Sequence, residues 1–343
     1  MSLKQNIYPG DAVLAAPLSG YTDLPYRRSL RRQGCFYCFT EMVDAASIAY
    51  SNDNSAELMY RGKDEEFLAV QLVGGDLEHL RIAVDALNER EYDVFDFNLG
   101  CPVPKVAKKH AGAALGRDVE RALKCFALLA ERTRFPITAK IRILDELDPE
   151  PTLLLAKGLA ELGARAITVH GRVMNKFYSG KVFAEIIAEC VKALPDVQII
   201  ANGGIMSYHD AEELKKASLC QTVMVARGMM GNPWLFRELL EKAEFVPPTV
   251  EEWAEEMSCH ITEMVEYYGE ERAMPMSRKI ILDYLRGRGF GGESKNQASR
   301  LSRLSDFYFF RDELVKRGPA ESYFFNQPRE RRLRKSNNFS AGD

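Results

Sequence analysis

The chain has 343 residues, 46% hydrophobic and 28% charged, with a formal net charge of -3. That length holds one large domain and a smaller one, and the composition is that of a folded globular protein rather than a disordered one. The small net charge excludes a globally basic nucleic-acid binder, so any such role must rest on local basic clusters. Seven cysteines, an odd number, point to reduced thiols rather than a disulfide framework. No apolar run reaches the roughly 18 residues of a membrane span, and the opening "MSLKQNIYPG" lacks the apolar core and cleavage pattern of a signal peptide. A cytoplasmic protein without membrane contact is therefore expected.

In chain order, eight short β-branched-rich runs lie between residues 12 and 231: "AVLAAP", "CFYCFTEMV", "FLAVQLVG", "VFDFNLGCP", "ITAKIRI", "RAITVHG", "VQIIANGG" and "TVMVARG". They are near-continuous rather than alternating, as strands buried on both faces are. Helical patterns such as "DLEHLRIAVDALNER", "DVERALKCFALLAERT", "PTLLLAKGLAELG" and "MSYHDAEELKKA" separate them. Strand then helix, repeated, is the pattern of a (β/α)8, or TIM, barrel, and about 250 residues suffice for one. A doubly wound open sheet would need a Gly-rich phosphate loop after its first strand, and "APLSGYTD" is not one.

The last barrel helix is expected to start with Asn232 as its cap and Pro233 at its first position. "VPP" at 246–248 then marks a joint, and 249–317 reads as three helices with no strand. The expected division is a barrel over 1–244 and an all-helical domain over 245–343, ending in the basic, flexible tail "RERRLRKSNNFSAGD".

In such a barrel the active site forms at the C-terminal ends of the strands. The polar groups falling there are Pro17 with Ser19, Glu41, Gln71, Asn98 with Cys101, Lys140 with Arg142, His170, Asn202 and Arg227. The seventh and eighth strands end in "ANGGI" and "ARGMMGNP", and glycine turns at these places commonly bind phosphate through freed N–H groups. Lys140 and His170 pointing into one mouth suit a ligand that becomes anionic. Reduced flavin is such a ligand, and FMN also carries a phosphate; Gln71 could read the flavin ring edge. A phosphorylated sugar, or a Schiff-base role for Lys140, is the alternative.

Cys101 lies between Gly100 and Pro102. A free thiol is mostly protonated at neutral pH, so it could donate a proton; with His110 as base it could instead attack. Gly112 offers a hinge for a lid. Cys35 and Cys38 form a C-x-x-C without the second pair a zinc site needs. Three positions apart in an apparent strand, their side chains should face opposite ways and be buried structurally.

The blocks "LAAPLSGYTDLPYR", "AVQLVGGD", "NLGCPVPKV", "AKIRI", "TVHGR", "ANGGI" and "VARGMMGNPWLF", in this order, resemble the FMN-dependent tRNA-dihydrouridine synthases from residue 12 to about 240. The resemblance implies reduction of a uracil in tRNA: hydride from reduced FMN to C6, a proton from a cysteine to C5, and NADPH to re-reduce the flavin. It implies that Cys101 is the proton donor. It places FMN against Pro17, Leu18, Ser19, Gln71, Lys140, His170, Asn202, Gly203, Gly204, Ala226 and Arg227, with Asn98 and Arg142 facing the uracil. Leu18 stands where the family commonly has methionine, and "NGG" where it often has N-G-D, so a side-chain role for that aspartate is missing. "RRSLRR" at 27–32, "KVAKK" at 105–109, "SRKIILDYLRGR" at 277–288 and "RERRLRK" at 329–335 are the clusters that could track tRNA phosphates. Two other readings remain: a related FMN barrel oxidoreductase acting on a free pyrimidine or other small molecule, and a non-catalytic tRNA-binding module.

Overall fold

The computed structural model describes residues 6–51, 54–243 and 246–320. All eight expected strands form: β1 (Val13–Ala15), β2 (Cys38–Asp44), β3 (Leu68–Val73), β4 (Val94–Leu99), β5 (Ile137–Arg142), β6 (Ala166–His170), β7 (Gln198–Asn202) and β8 (Val223–Val225). They make one parallel sheet in the order β1-β8-β7-β6-β5-β4-β3-β2. Its two ends are drawn together where Ala15 N donates to Tyr37 O at 2.9 Å, beside a bridge between Leu14 and Tyr37. With helices between successive strands, this is a (β/α)8 barrel followed by C-terminal helices.

Strand alternation sorts the barrel interior into layers. An apolar layer of Tyr8, Leu14, Phe39, Ala69, Val94, Ala166, Ile200 and Met224 fills one end. Two residues further along the strands the same inward face turns polar, through Gln71, Asp96, Thr138 and Thr168, all buried. Asn98 and Lys140, paired across β4 and β5, follow at the rim, as do His170 and Asn202, paired across β6 and β7; His170 pairs on its other side with Arg142. The slip in pairing between Phe39 and Met42 re-aims Glu41, whose carboxylate accepts from Gly20 N. Thr40 Oγ1 then takes the bond from Gln71 N at 3.1 Å.

The chain divides into two compact units that are not contiguous in sequence. One holds the barrel; the other gathers Pro25–Gly34, Met206–Tyr208 and the chain from Arg227 onward. The expected joint at 244/245 and the tail cluster at 329–335 fall outside the described residues. Four helices, not three, fill 249–317: Val250–Tyr268, Glu270–Leu285, Gly292–Ala298 and Leu304–Arg317. Gly269, at φ 76, separates the first two. A capping box of Thr249 and Glu252 starts the first. The helix after β8 runs Leu235–Glu241, later than expected, because Asn232 does not cap it: its Oδ1 accepts from the buried Arg288 at 2.9 Å.

The C-x-x-C also departs from expectation. Cys35 precedes β2 rather than lying in it, so strand alternation does not apply, and the two Sγ atoms face each other at 3.7 Å. Both are buried, as expected.

Candidate active site

Cys101 sits two residues past β4, on a loop bonded on three sides. Its N–H and that of Gly100 both donate to Asn98 Oδ1, at 2.9 and 3.0 Å. Its own carbonyl accepts from Ala113 N at 2.9 Å, and Gly100 O accepts from Arg142 Nε at 2.7 Å. Gly112 must be glycine here: its φ is +60, and a Cβ would lie 2.8 Å from Cys101 O. Burial pushes the Cys101 thiol above the ordinary cysteine value, and the nearby Arg142 and Lys140 charges only partly oppose that. The group is therefore a thiol at neutral pH. His110 is exposed with φ 51, and among the described residues no hydrogen bond joins it to Cys101. The acid reading is thus favoured over the nucleophile.

Behind Asn98 lies a chain of side-chain bonds. Asn98 Nδ2 donates to Gln71 Oε1 at 2.8 Å, and Gln71 Nε2 to Asp96 Oδ2 at 2.7 Å. Thr138 Oγ1 donates to Asp96 Oδ1 at 2.6 Å. Burial raises the Asp96 carboxyl to about 6, leaving it ionised at neutral pH. Sequence reasoning missed Asp96 and Thr138, although "FDFN" places Asp96 two residues before Asn98 and hence on the same strand face.

On the next strands Lys140 Nζ donates to Asn202 Oδ1 at 3.0 Å, and Asn202 Nδ2 to Met224 O at 2.8 Å. Burial, then repulsion from Arg142, lowers the Lys140 ammonium to about 8, so it remains a cation at pH 7. His170 lies 3.4 Å from an Arg172 nitrogen, and Arg172 Nε donates to Gly180 O at 3.0 Å. Arg172 is a second group the sequence reading left out, although it follows His170 in "HGR". Arg142 NH1 reaches Phe177 O at 2.8 Å, so Arg142 ties the Cys101 loop to the loop after β6.

Gly203 and Gly204 have φ of 130 and 78, a path only glycine takes without strain, and a Cβ on Gly203 would meet His170 at 3.0 Å. At the same end of the barrel, next to β7, Ala16 N donates to Val225 O at 2.7 Å, so Pro17 and Ala226 leave the barrel side by side. The turn through Leu18 and Ser19 is held by Thr22, whose Oγ1 accepts from Leu18 N at 3.0 Å. Arg227 opens the 3-10 turn Arg227–Met229, in the second unit. Among the described residues no cluster of three or more His, Cys, Asp or Glu could hold a metal, and no helix is long and apolar enough to cross a membrane.

The mouth thus combines a protonated thiol on a fixed loop, one half-buried ammonium, two arginines and a glycine turn beside an imidazole. The dihydrouridine synthase family model matches residues 13–315. A probable tRNA-dihydrouridine synthase of Rickettsia bellii is 34% identical over 281 residues, covering 80% of this chain and 85% of that protein. Its counterpart in Rickettsia prowazekii is 32% identical over 290 residues, covering 82% and 88%. The tRNA-dihydrouridine synthase B of Pasteurella multocida is 31% identical over 279 residues, covering 80% and 84%. The chain belongs to the dihydrouridine synthase family.

Proposed function

We propose that the protein is a tRNA-dihydrouridine synthase, an oxidoreductase that saturates the C5=C6 bond of uridines within tRNA. The observation that carries this reading is Cys101: a thiol kept protonated by burial, on a loop whose N–H and C=O are both bonded. A uridine in folded tRNA has to leave its stack to enter a barrel mouth, where its edge can be read by hydrogen bonds. Arg142 and Asn98 are the residues we assign to that edge.

The residues fit FMN. Gly203 and Gly204 supply backbone at positive φ for its phosphate, with Ala226 just past the neighbouring strand β8. Lys140 and His170 offer positive or donor character to the ring, and Pro17, Leu18 and Ser19 line the rim beyond β8, while Gln71, fully enclosed, acts behind Asn98. When bound, FMN supplies hydride to C6 and is re-reduced by NADPH. The Cys101 S–H gives its proton to C5, and its S–H bond breaks as the C5–H bond forms. The thiolate left behind is stabilised by the Arg142 and Lys140 charges, the same two that draw the thiol pKa downward. Solvent then reprotonates it.

The helical unit is the part we assign to tRNA. Its arginines are not all available for phosphate: Arg27 and Arg288 are buried, and Arg32 lies on Glu256 at 2.9 Å. Lys105 and Lys108, beside Cys101 in sequence, are exposed. The test is direct. Purified protein should be yellow, and Cys101→Ala should keep its flavin while uridine reduction in tRNA falls about 100-fold or more, the scale of a lost general acid. Full activity of that variant would remove the thiol from the mechanism, and equal turnover of free uridine and tRNA would point to a small-molecule oxidoreductase.

A further inference from the structure

The bonds behind Cys101 all run one way. Gly100 N and Cys101 N donate to Asn98 Oδ1, Asn98 Nδ2 donates to Gln71 Oε1, and Gln71 Nε2 donates to Asp96 Oδ2. A carboxamide can usually be turned over, exchanging its oxygen and nitrogen at little cost. Here the two ends decide. Backbone N–H groups only donate, and an ionised carboxylate only accepts. Turning Gln71 over would put its oxygen against the Asp96 carboxylate. Turning Asn98 over would put its NH2 against two N–H groups. Thr138 completes the arrangement by holding the other Asp96 oxygen at 2.6 Å. Asp96 and Gln71 are buried to within 1% of full enclosure, so water is poorly placed to substitute for a missing partner.

We infer that Asp96 is a positioning residue for Cys101: its carboxylate, by accepting from Gln71, fixes both amides in the one orientation that offers an acceptor to the Gly100 and Cys101 N–H groups. It acts through two intervening side chains, and it rests on the proposed function only for what Cys101 then does. Asparagine at 96 would present either an oxygen or an NH2 to Gln71, so the carboxylate end would no longer impose the direction, and the chain would be held from the backbone N–H end alone.

The test is hydrogen–deuterium exchange, read by mass spectrometry on peptides spanning residues 99–103 of the full-length protein, near pH 7.5. Asp96→Asn and Asn98→Ala should each speed exchange at Gly100 and Cys101 by about 5- to 10-fold, the scale of one lost hydrogen bond. The double variant should exchange no faster than Asn98→Ala alone, because both substitutions break the same chain. Unchanged exchange in Asp96→Asn, or effects that multiply in the double variant, would overturn the inference. If Asp96→Asn does not fold, Thr138→Val takes its place in the same cycle: a smaller acceleration, absent on the Asn98→Ala background, is expected, and no acceleration overturns it. Exchange needs neither tRNA nor reductant. A wild-type protein with the predicted exchange pattern that reduces no tRNA uridine would therefore contradict the proposed function and leave the Asp96 assignment standing.

Discussion

Environment shifts Cys101 and Lys140 in opposite directions. Burial raises the thiol and lowers the ammonium, so each is pushed toward its neutral form. In the proposed reaction that is the working form of the thiol, which gives a proton. For Lys140 it is not, because in that proposal the cation steadies developing negative charge. Lys140 is a cation below about pH 8 and neutral above it, so uridine reduction should decline as pH rises through about 8. The Cys101 thiol, raised above the ordinary cysteine value, stays protonated through that change. A pH–rate profile of wild type against Lys140→Arg checks this: the arginine variant, slower overall, should lose the decline near pH 8. A decline that persists in that variant would assign it to another group.

At the scale of elements, the strands were legible because β-branched runs buried on both faces stand out from the amphipathic helices between them. Seven observed strands lie inside their expected runs and β2 overruns its own by one residue, to Asp44, so the residues at the strand ends followed from the runs. What the runs concealed was the alternation within them. Asp96 and Thr138 sit among apolar neighbours in "VFDFN" and "ITAKIR", and only the side-chain bonds reveal them as the support of Gln71 and Asn98. Cys35 and Cys38 mislead for the opposite reason, since the strand begins at Cys38 and its period does not reach back. Gly231 carries a constraint no spacing discloses. Its φ is 66, and a Cβ there would lie 2.2 Å from the Asp283 carbonyl. Gly231→Ala should therefore destabilise the helical unit by about 2–4 kcal/mol, through both backbone strain and overlap. Denaturant unfolding followed by helix signal measures it, and a change below about 0.5 kcal/mol, the size of an ordinary surface substitution, would contradict the close approach.

For the molecule as a whole, the barrel with its helical addition was legible, while the membership of the second unit was not. Residues 25–34 fall inside the expected barrel range 1–244, yet they group with the C-terminal helices. The bonds responsible join residues far apart in the chain: Arg32 Nε to Glu256 at 3.0 Å and Ser29 Oγ to Glu256 at 2.6 Å. No local pattern encodes such a pairing. It also takes Arg32 out of the cations expected to track phosphate, leaving exposed lysines such as Lys105 and Lys108 as the better candidates. Binding of tRNA should weaken as salt rises, and Lys105→Ala with Lys108→Ala should flatten the slope of log affinity against log salt by about 1–2. An unchanged slope would place the phosphate contacts elsewhere. The central claim is the reaction itself, and it is tested by incubating the FMN-loaded protein with unmodified tRNA and NADPH and quantifying dihydrouridine in the product by mass spectrometry. Wild type should convert specific uridines while Cys101→Ala, still carrying flavin, converts almost none; a flavin-loaded wild type that leaves every uridine intact would contradict the account.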